Sequence, residues 1–350
     1  MNHFNIDEKQ LTEKIKKRMN RKVSAIITIS VGIVAAIFCI VQFAVFPLIN
    51  SLYYNPLDGR RTSIGVSEWG QMSIDMSVFS ELHLPGYEIP FIFTKPRGLG
   101  AYDLTLYQNN AFHNYSETVY QAQIVRGRMS LSFLDTALFD GMSFQWVPSV
   151  YGNYTDTEKW PLVDAAARAE LTQLPASAQA KVFLLFHDPL DMQALEQFVK
   201  QSAVEVYWAG VRCGEEELDW ISRYGFSPMG KRIPLSESAY PAEQFPLLEL
   251  DHTDAWGGER RTNMDMLTAQ NYETHFTSML SYMSSRNEFL EIIGFTNNYA
   301  KALAYVRENG IWCPGVVVSG SLDEIIELAS NPLVQSIAID DVKVSVFSRP

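Results

Sequence analysis

With 350 residues, 47% of them hydrophobic and 12% aromatic, the chain can build one large or two ordinary packed domains and is no disordered tether. A net charge of −12 argues against nucleic acid as a direct partner, which would need a basic face. The three cysteines, Cys39, Cys213 and Cys313, are too far apart for a CxxC redox motif or a zinc ribbon.

Charge is unevenly placed. Residues 1–22 hold seven Lys/Arg against three acids, a net +4 that leaves −16 for the rest. From Glu8 to Lys22 the pattern is that of a basic helix, with Leu11, Ile15 and Met19 at i, i+4 and i+8 as a narrow apolar stripe. Such a tail serves as a positive stop beside anionic lipid, or as a docking helix for a cytoplasmic protein; the two roles are compatible. No charged residue occurs from Val23 to Leu57, and Val23–Ile49 is strongly apolar. That run exceeds the ~20 residues needed to cross a bilayer. Its cationic flank comes first, so the tail is expected in the cytoplasm and the remainder outside. A cleaved signal peptide would have a shorter apolar core and a small-x-small site. Here the run ends in Phe46-Pro47-Leu48-Ile49-Asn50 instead. No second run of this length follows, so one crossing is expected, with Cys39 inside it. Cys213 and Cys313 would lie outside, either bridged or as two buried thiols.

Residues 51–71 are turn-rich and polar and read as a juxtamembrane connector. Residues 72–150 read as a β-rich region: Tyr87–Lys95 and Tyr102–Asn110 alternate apolar and polar residues around the turn cluster Pro96–Ala101, and 118–127 and 128–135 continue the style. The polar stretch Asn153–Pro161 marks a boundary, which puts the connector and β-rich region at 50–160 and a C-terminal domain at 161–350.

That domain has a clear rhythm. Lys181–His187 is an apolar strand, Asp188-Pro189 a turn, 190–201 a helix and Val204–Val211 a second strand. A second block follows: a helix over 298–308 stopped by Asn309-Gly310, a strand over 314–320, a helix over 321–330 and a strand over 334–340. Residues 264–293 between the blocks are helical, with Met279, Tyr282, Met283, Phe289 and Leu290 as apolar contributors. Two such halves predict a ferredoxin-like sheet with helices on one face, and an α+β protein overall.

Little chemistry is marked. Gly315–Ile326, GVVVSGSLDEII, has the outline of a phosphate-binding turn. However, it carries one turn glycine, no following Lys-Ser/Thr, and two acids at the helix mouth that would repel an anion. Ser321 and Glu324 form a capping-box pattern instead. The clusters His187-Asp188-Asp191 and Asp251-His252-Asp254 lack a third partner marked by spacing. No nucleophile elbow and no H-E-x-x-H helix is present. No cofactor, metal or enzymatic activity is therefore expected.

The stretch AYVRENGIWCPGVVVSGSLDEIIELASNPLVQSIAIDDVKV, Ala304–Val344, resembles the C-terminal domain of the sigma factor regulators, membrane-bound anti-sigma factors of Gram-positive bacteria. Lys181–Glu217 resembles the first half of the same domain, and the basic tail, the span and the extended region after it resemble the family's N-terminal domain. The resemblance implies a single-pass protein whose exterior domain helps control an extracytoplasmic-function (ECF) sigma factor held at the inner face. The cytoplasmic tail is short and has no His-x-x-x-Cys-x-x-Cys motif. Either the Glu8–Lys22 helix suffices, or another membrane regulatory protein supplies the grip, or this member has lost sigma binding. The contrasting reading is a membrane-anchored binding module without sigma-factor activity.

Overall fold

A computed structural model describes residues 8–58, 70–113, 116–130, 160–214, 224–231, 240–250 and 264–344. Helix α1 runs from Glu8 to Ile40, passes through a π-helical turn, Val41–Val45, and continues as α2, Phe46–Asn50. Pro47 gives a physical reason for the wide turn: it lacks an N–H and its ring would crowd the carbonyl four residues back. The stretch Leu11–Ile49 is one helix long and apolar enough to cross a membrane, and none of it is buried against the rest of the protein. Ile26, Val34 and Phe38 are each more than 60% exposed, so the central part of the helix presents apolar side chains all round, uncovered by the other described residues.

The chain then departs from the expected extended pattern. Gln71–His83 forms a helix, α3, and every residue from Met72 to His83 is buried. Its apolar residues alternate with small and acidic ones at 72, 74, 76 and 78, which mimics a strand; a helix buried on all sides needs no 3.6-residue stripe. Strands β1 (Tyr87–Gly98), β2 (Ala101–Asn110), β3 (Ser116–Val125) and β4 (Arg128–Met129) form an antiparallel meander in that order. Residues 131–135, read as a further strand, lie outside the described residues. Tyr102, Leu104 and Leu106 of β2 point inward while their neighbours face out, as the alternation predicts. β1 is an edge strand containing Pro90 and Pro96, and α3 covers part of its edge. The Ser73 hydroxyl accepts from Ile92 N at 3.0 Å and lies 3.4 Å from Ile92 O.

The C-terminal half opens with α4, Trp160–Leu171, so Pro161 enters a helix rather than closing a loop. β5 (Ala178–Leu190), α5 (Met192–Gln201) and β6 (Glu205–Val211) make the first crossover unit. β7 (Tyr224–Phe226) follows, then α6 (Ala269–Ser284), α7 (Asn287–Ile292) and α8 (Tyr299–Asn309). β8 (Cys313–Ser321), α9 (Leu322–Ala329) and β9 (Val334–Val344) make the second unit. The sheet order is β7-β6-β8-β5-β9, with every neighbouring pair antiparallel. Asp188-Pro189 does not end β5; the strand continues through an irregular register to Leu190, and Asp191 caps α5.

The sheet has two unlike faces. Val182, Leu184, Val316, Val318 and Ile337 join the main core, which continues through α5, α6 and α9 to α3 and β2. Phe183, Leu185, Trp208, Val317 and Ala338 point the other way, into a small second cluster closed by Phe112 from the meander. The Trp208 indole donates to Glu81 O at 2.9 Å.

Candidate functional site

Two places combine chemistry with position: the start of α1 and the buried helix α3. On α1, Leu11, Ile15 and Met19 are 51%, 57% and 59% exposed and share one face, so the expected stripe is present and uncovered. Lys16, Lys17 and Arg21 lie alongside it.

Helix α3 carries two ionic networks that no local motif announces. The first centres on Asp75. Its carboxylate accepts from Tyr54 Oη at 2.7 Å, Tyr282 Oη at 2.7 Å, Gln71 Nε2 at 2.9 Å, and Arg286 Nε and Nη2 at 2.8 and 3.0 Å. Tyr54 belongs to the connector just after α2, whereas Tyr282 and Arg286 belong to α6 and the start of α7. One fully buried carboxylate therefore ties the exit of the apolar helix to the C-terminal half. Burial first, and then Asp75, push the Tyr54 and Tyr282 phenols far up, so both remain hydrogen-bond donors. Burial would lower the Arg286 guanidinium, but Asp75 more than offsets this and it stays charged.

The second network lies two turns further on. Glu81 is bonded by Lys231 Nζ at 3.0 Å, His275 Nε2 at 2.8 Å and Ser227 N at 3.2 Å. Lys231 also donates to Ser77 Oγ at 2.9 Å, and Glu249 stands 3.9 Å from it. His275 Nδ1 faces Leu247 O at 2.8 Å. Both ring nitrogens thus lie within hydrogen-bond distance of an oxygen. Burial alone would raise the Glu81 carboxyl, but Lys231 and His275 override it and hold the group at about 2. These partners lie 146 to 194 positions from Glu81 in sequence, which is why spacing does not reveal them. The one local signal is the presence of two acids in an otherwise apolar or small-residue stretch, 72–82.

The strand-to-helix turn at Ser321 is a cap. Glu324 N donates to Ser321 Oγ, and Ser321 N donates to Glu324 Oε2 at 2.7 Å, which completes the capping box. Gly320 has a packing reason: a Cβ there would lie 2.9 Å from Val204 Cγ1 and 3.0 Å from Glu324 Oε2. A cleft of about 510 Å³ opens between α5 and α9 beside it, lined in part by Phe198, Val204 and Leu328. Among the described residues no cluster of His, Cys, Asp and Glu could hold a metal; Asp251-His252-Asp254 lies outside them. Cys213 and Cys313 are both buried thiols near the facing ends of β6 and β8, where Arg212 N donates to Trp312 O at 2.9 Å. Burial pushes the Cys313 thiol up to about 12.

No curated protein and no solved structure matches the chain. A family model does: residues 171–341 match the one described as sigma factor regulator C-terminal. The match covers all of the five-stranded sheet but the last strand's final residues, together with α5 to α9. It includes Lys231, His275, Tyr282 and Arg286, the partners that grip α3. The C-terminal part of this chain, from residue 171 to residue 341, is therefore a sigma factor regulator C-terminal domain.

Proposed function

We propose that this protein is a single-pass membrane regulator that controls an ECF sigma factor from the inner membrane face. In this reading α1 crosses the bilayer with its basic end in the cytoplasm, and Leu11, Ile15 and Met19 engage the sigma factor or another membrane regulatory protein. The domain at 171–341 acts outside as a sensing or interaction module, not as an enzyme. The observation that carries the reading is the regulator domain joined to one long apolar helix whose first turns present an uncovered apolar stripe among cations. We read the C-terminal sheet as ferredoxin-like: the order β9-β5-β8-β6 and the two crossover helices support it, with β7 and α6–α8 as additions. We also read Cys213 and Cys313 as packing thiols, because both are buried and unbridged and burial holds Cys313 at about 12, where little thiolate forms. Alkylation of the unfolded, unreduced chain should then label both.

Affinity capture with the full-length protein and with a form lacking residues 2–22, alongside promoter output in cells, tests the regulator reading. Loss of the bound partner and a change in output on deletion are expected. If both stay as they were, the protein is an anchored binding module instead.

A further inference from the structure

The connector leaves α2 directly against one end of the four-stranded meander. A Cβ on Gly98, in the β1–β2 turn, would lie 3.9 Å from the ring of Phe46 in α2. A Cβ on Gly100 would come within 2.9 Å of the Tyr53 ring, and one on Gly127, in the β3–β4 turn, within 3.8 Å of it. Tyr53 is therefore wedged between the tips of the two hairpins. Both tips are left-handed turns, with φ of 56° at Leu99, 71° at Gly100, 51° at Arg126 and 74° at Gly127. Arg126 N donates to Gly100 O at 2.8 Å and locks one turn to the other. Tyr102 Oη adds a bond to Asn55 Oδ1 at 3.2 Å. These contacts hold the hairpin tips beside the last residues of the apolar helix.

This end of the sheet is also where cations gather in an otherwise acidic exterior. Lys95, Arg97, Arg126 and Arg128 are all exposed. Among the described residues the acids nearby are Asp103, paired with Arg97 at 3.3 Å, and Asp58, bonded to Asn55 at 2.9 Å. Val125 is 51% exposed beside them and Leu99 is half-buried.

We propose that the two hairpin tips form a contact with anionic phospholipid headgroups on the leaflet where α2 leaves the bilayer. Three observations select lipid as the occupant. The tips touch the end of the apolar helix, so they sit at headgroup level once that helix spans. Their charge is complementary to anionic lipid within a Debye length. Tyr53 and the exposed Val125 are amphipathic and apolar groups of the kind that bilayer interfaces accept. The inference rests on α1 being membrane-spanning and extends that reading: the contact would set the tilt of the exterior body over the membrane.

The test uses the full-length protein in nanodiscs of phosphatidylcholine with or without phosphatidylglycerol. A fluorophore is placed through Val125→Cys at the tips, or through Thr118→Cys toward the far end of β3, in a Cys39→Ser background, and is quenched with headgroup-nitroxide lipid. Quenching at position 125 should exceed that at 118 by about twofold or more and should rise with phosphatidylglycerol at low salt. Arg97→Gln/Arg126→Gln/Arg128→Gln should remove that rise. A label on native Cys39, quenched by acyl-chain nitroxide, reports the span separately. Equal quenching at 125 and 118 with Cys39 quenched overturns the headgroup contact alone. A phosphatidylglycerol response that survives the triple variant overturns its cationic basis. An unquenched Cys39 removes the spanning reading and this inference with it.

Discussion

At the scale of single residues, Glu81 shows how a buried charge makes stability depend on pH. Its carboxyl is held at about 2 in the fold against an ordinary value of 4.5. Because the folded value is depressed, its contribution is fully present above about 4.5 and is lost as pH falls toward 2. The wild-type protein should therefore lose stability across that window, read as the urea midpoint at successive pH values. Glu81→Gln should flatten this slope. It should also cost about 3–5 kcal/mol near neutral pH, because Lys231 and His275 would be left buried without their shared counter-charge. A variant with the wild-type acid slope would place the sensitivity in another carboxylate.

Single elements show which physics is local and which is not. α5, β6, α8, β8, α9 and β9 were legible, and β5 up to His187, because apolar runs, Ser321 as an N-cap and Gly310 as the stop of α8 are signals within a few residues of what they control. Helix α3 was not legible. Its faces are all covered by other parts of the protein, so its residues keep no helical stripe and alternate as a strand would. For the same reason Asp75 and Glu81 could not be assigned partners from sequence, whereas the Leu11, Ile15 and Met19 stripe could be read as an exposed face from its spacing alone. The local rule gives its own prediction. Ser321→Ala removes the acceptor for Glu324 N and should cost about 1 kcal/mol in thermal or urea unfolding. Restoring an acceptor with Ser321→Asp should recover most of it; no recovery would mean that the hydroxyl acts through packing rather than through the cap.

At the scale of the whole molecule, the question is how the regulator domain reaches the tail. The Asp75 joint offers a physical route, since Tyr54 follows the apolar helix by four residues while Tyr282 and Arg286 belong to the regulator domain. Tyr54→Phe deletes one neutral-to-charged hydrogen bond and leaves the other donors on Asp75, a cost of about 1–2 kcal/mol. Ser321→Ala costs a similar amount but lies at the start of α9, where its hydroxyl serves the local capping box with Glu324. If the joint transmits state, Tyr54→Phe should shift promoter output in cells at unchanged protein level and membrane insertion, whereas Ser321→Ala should not. Asp75→Ala would strand Arg286 and should lower the unfolding midpoint far more than either, so it tests stability rather than coupling. Equal output from the Tyr54 and Ser321 variants would reduce the joint to a structural clamp that ties the connector to the regulator domain without transmitting state.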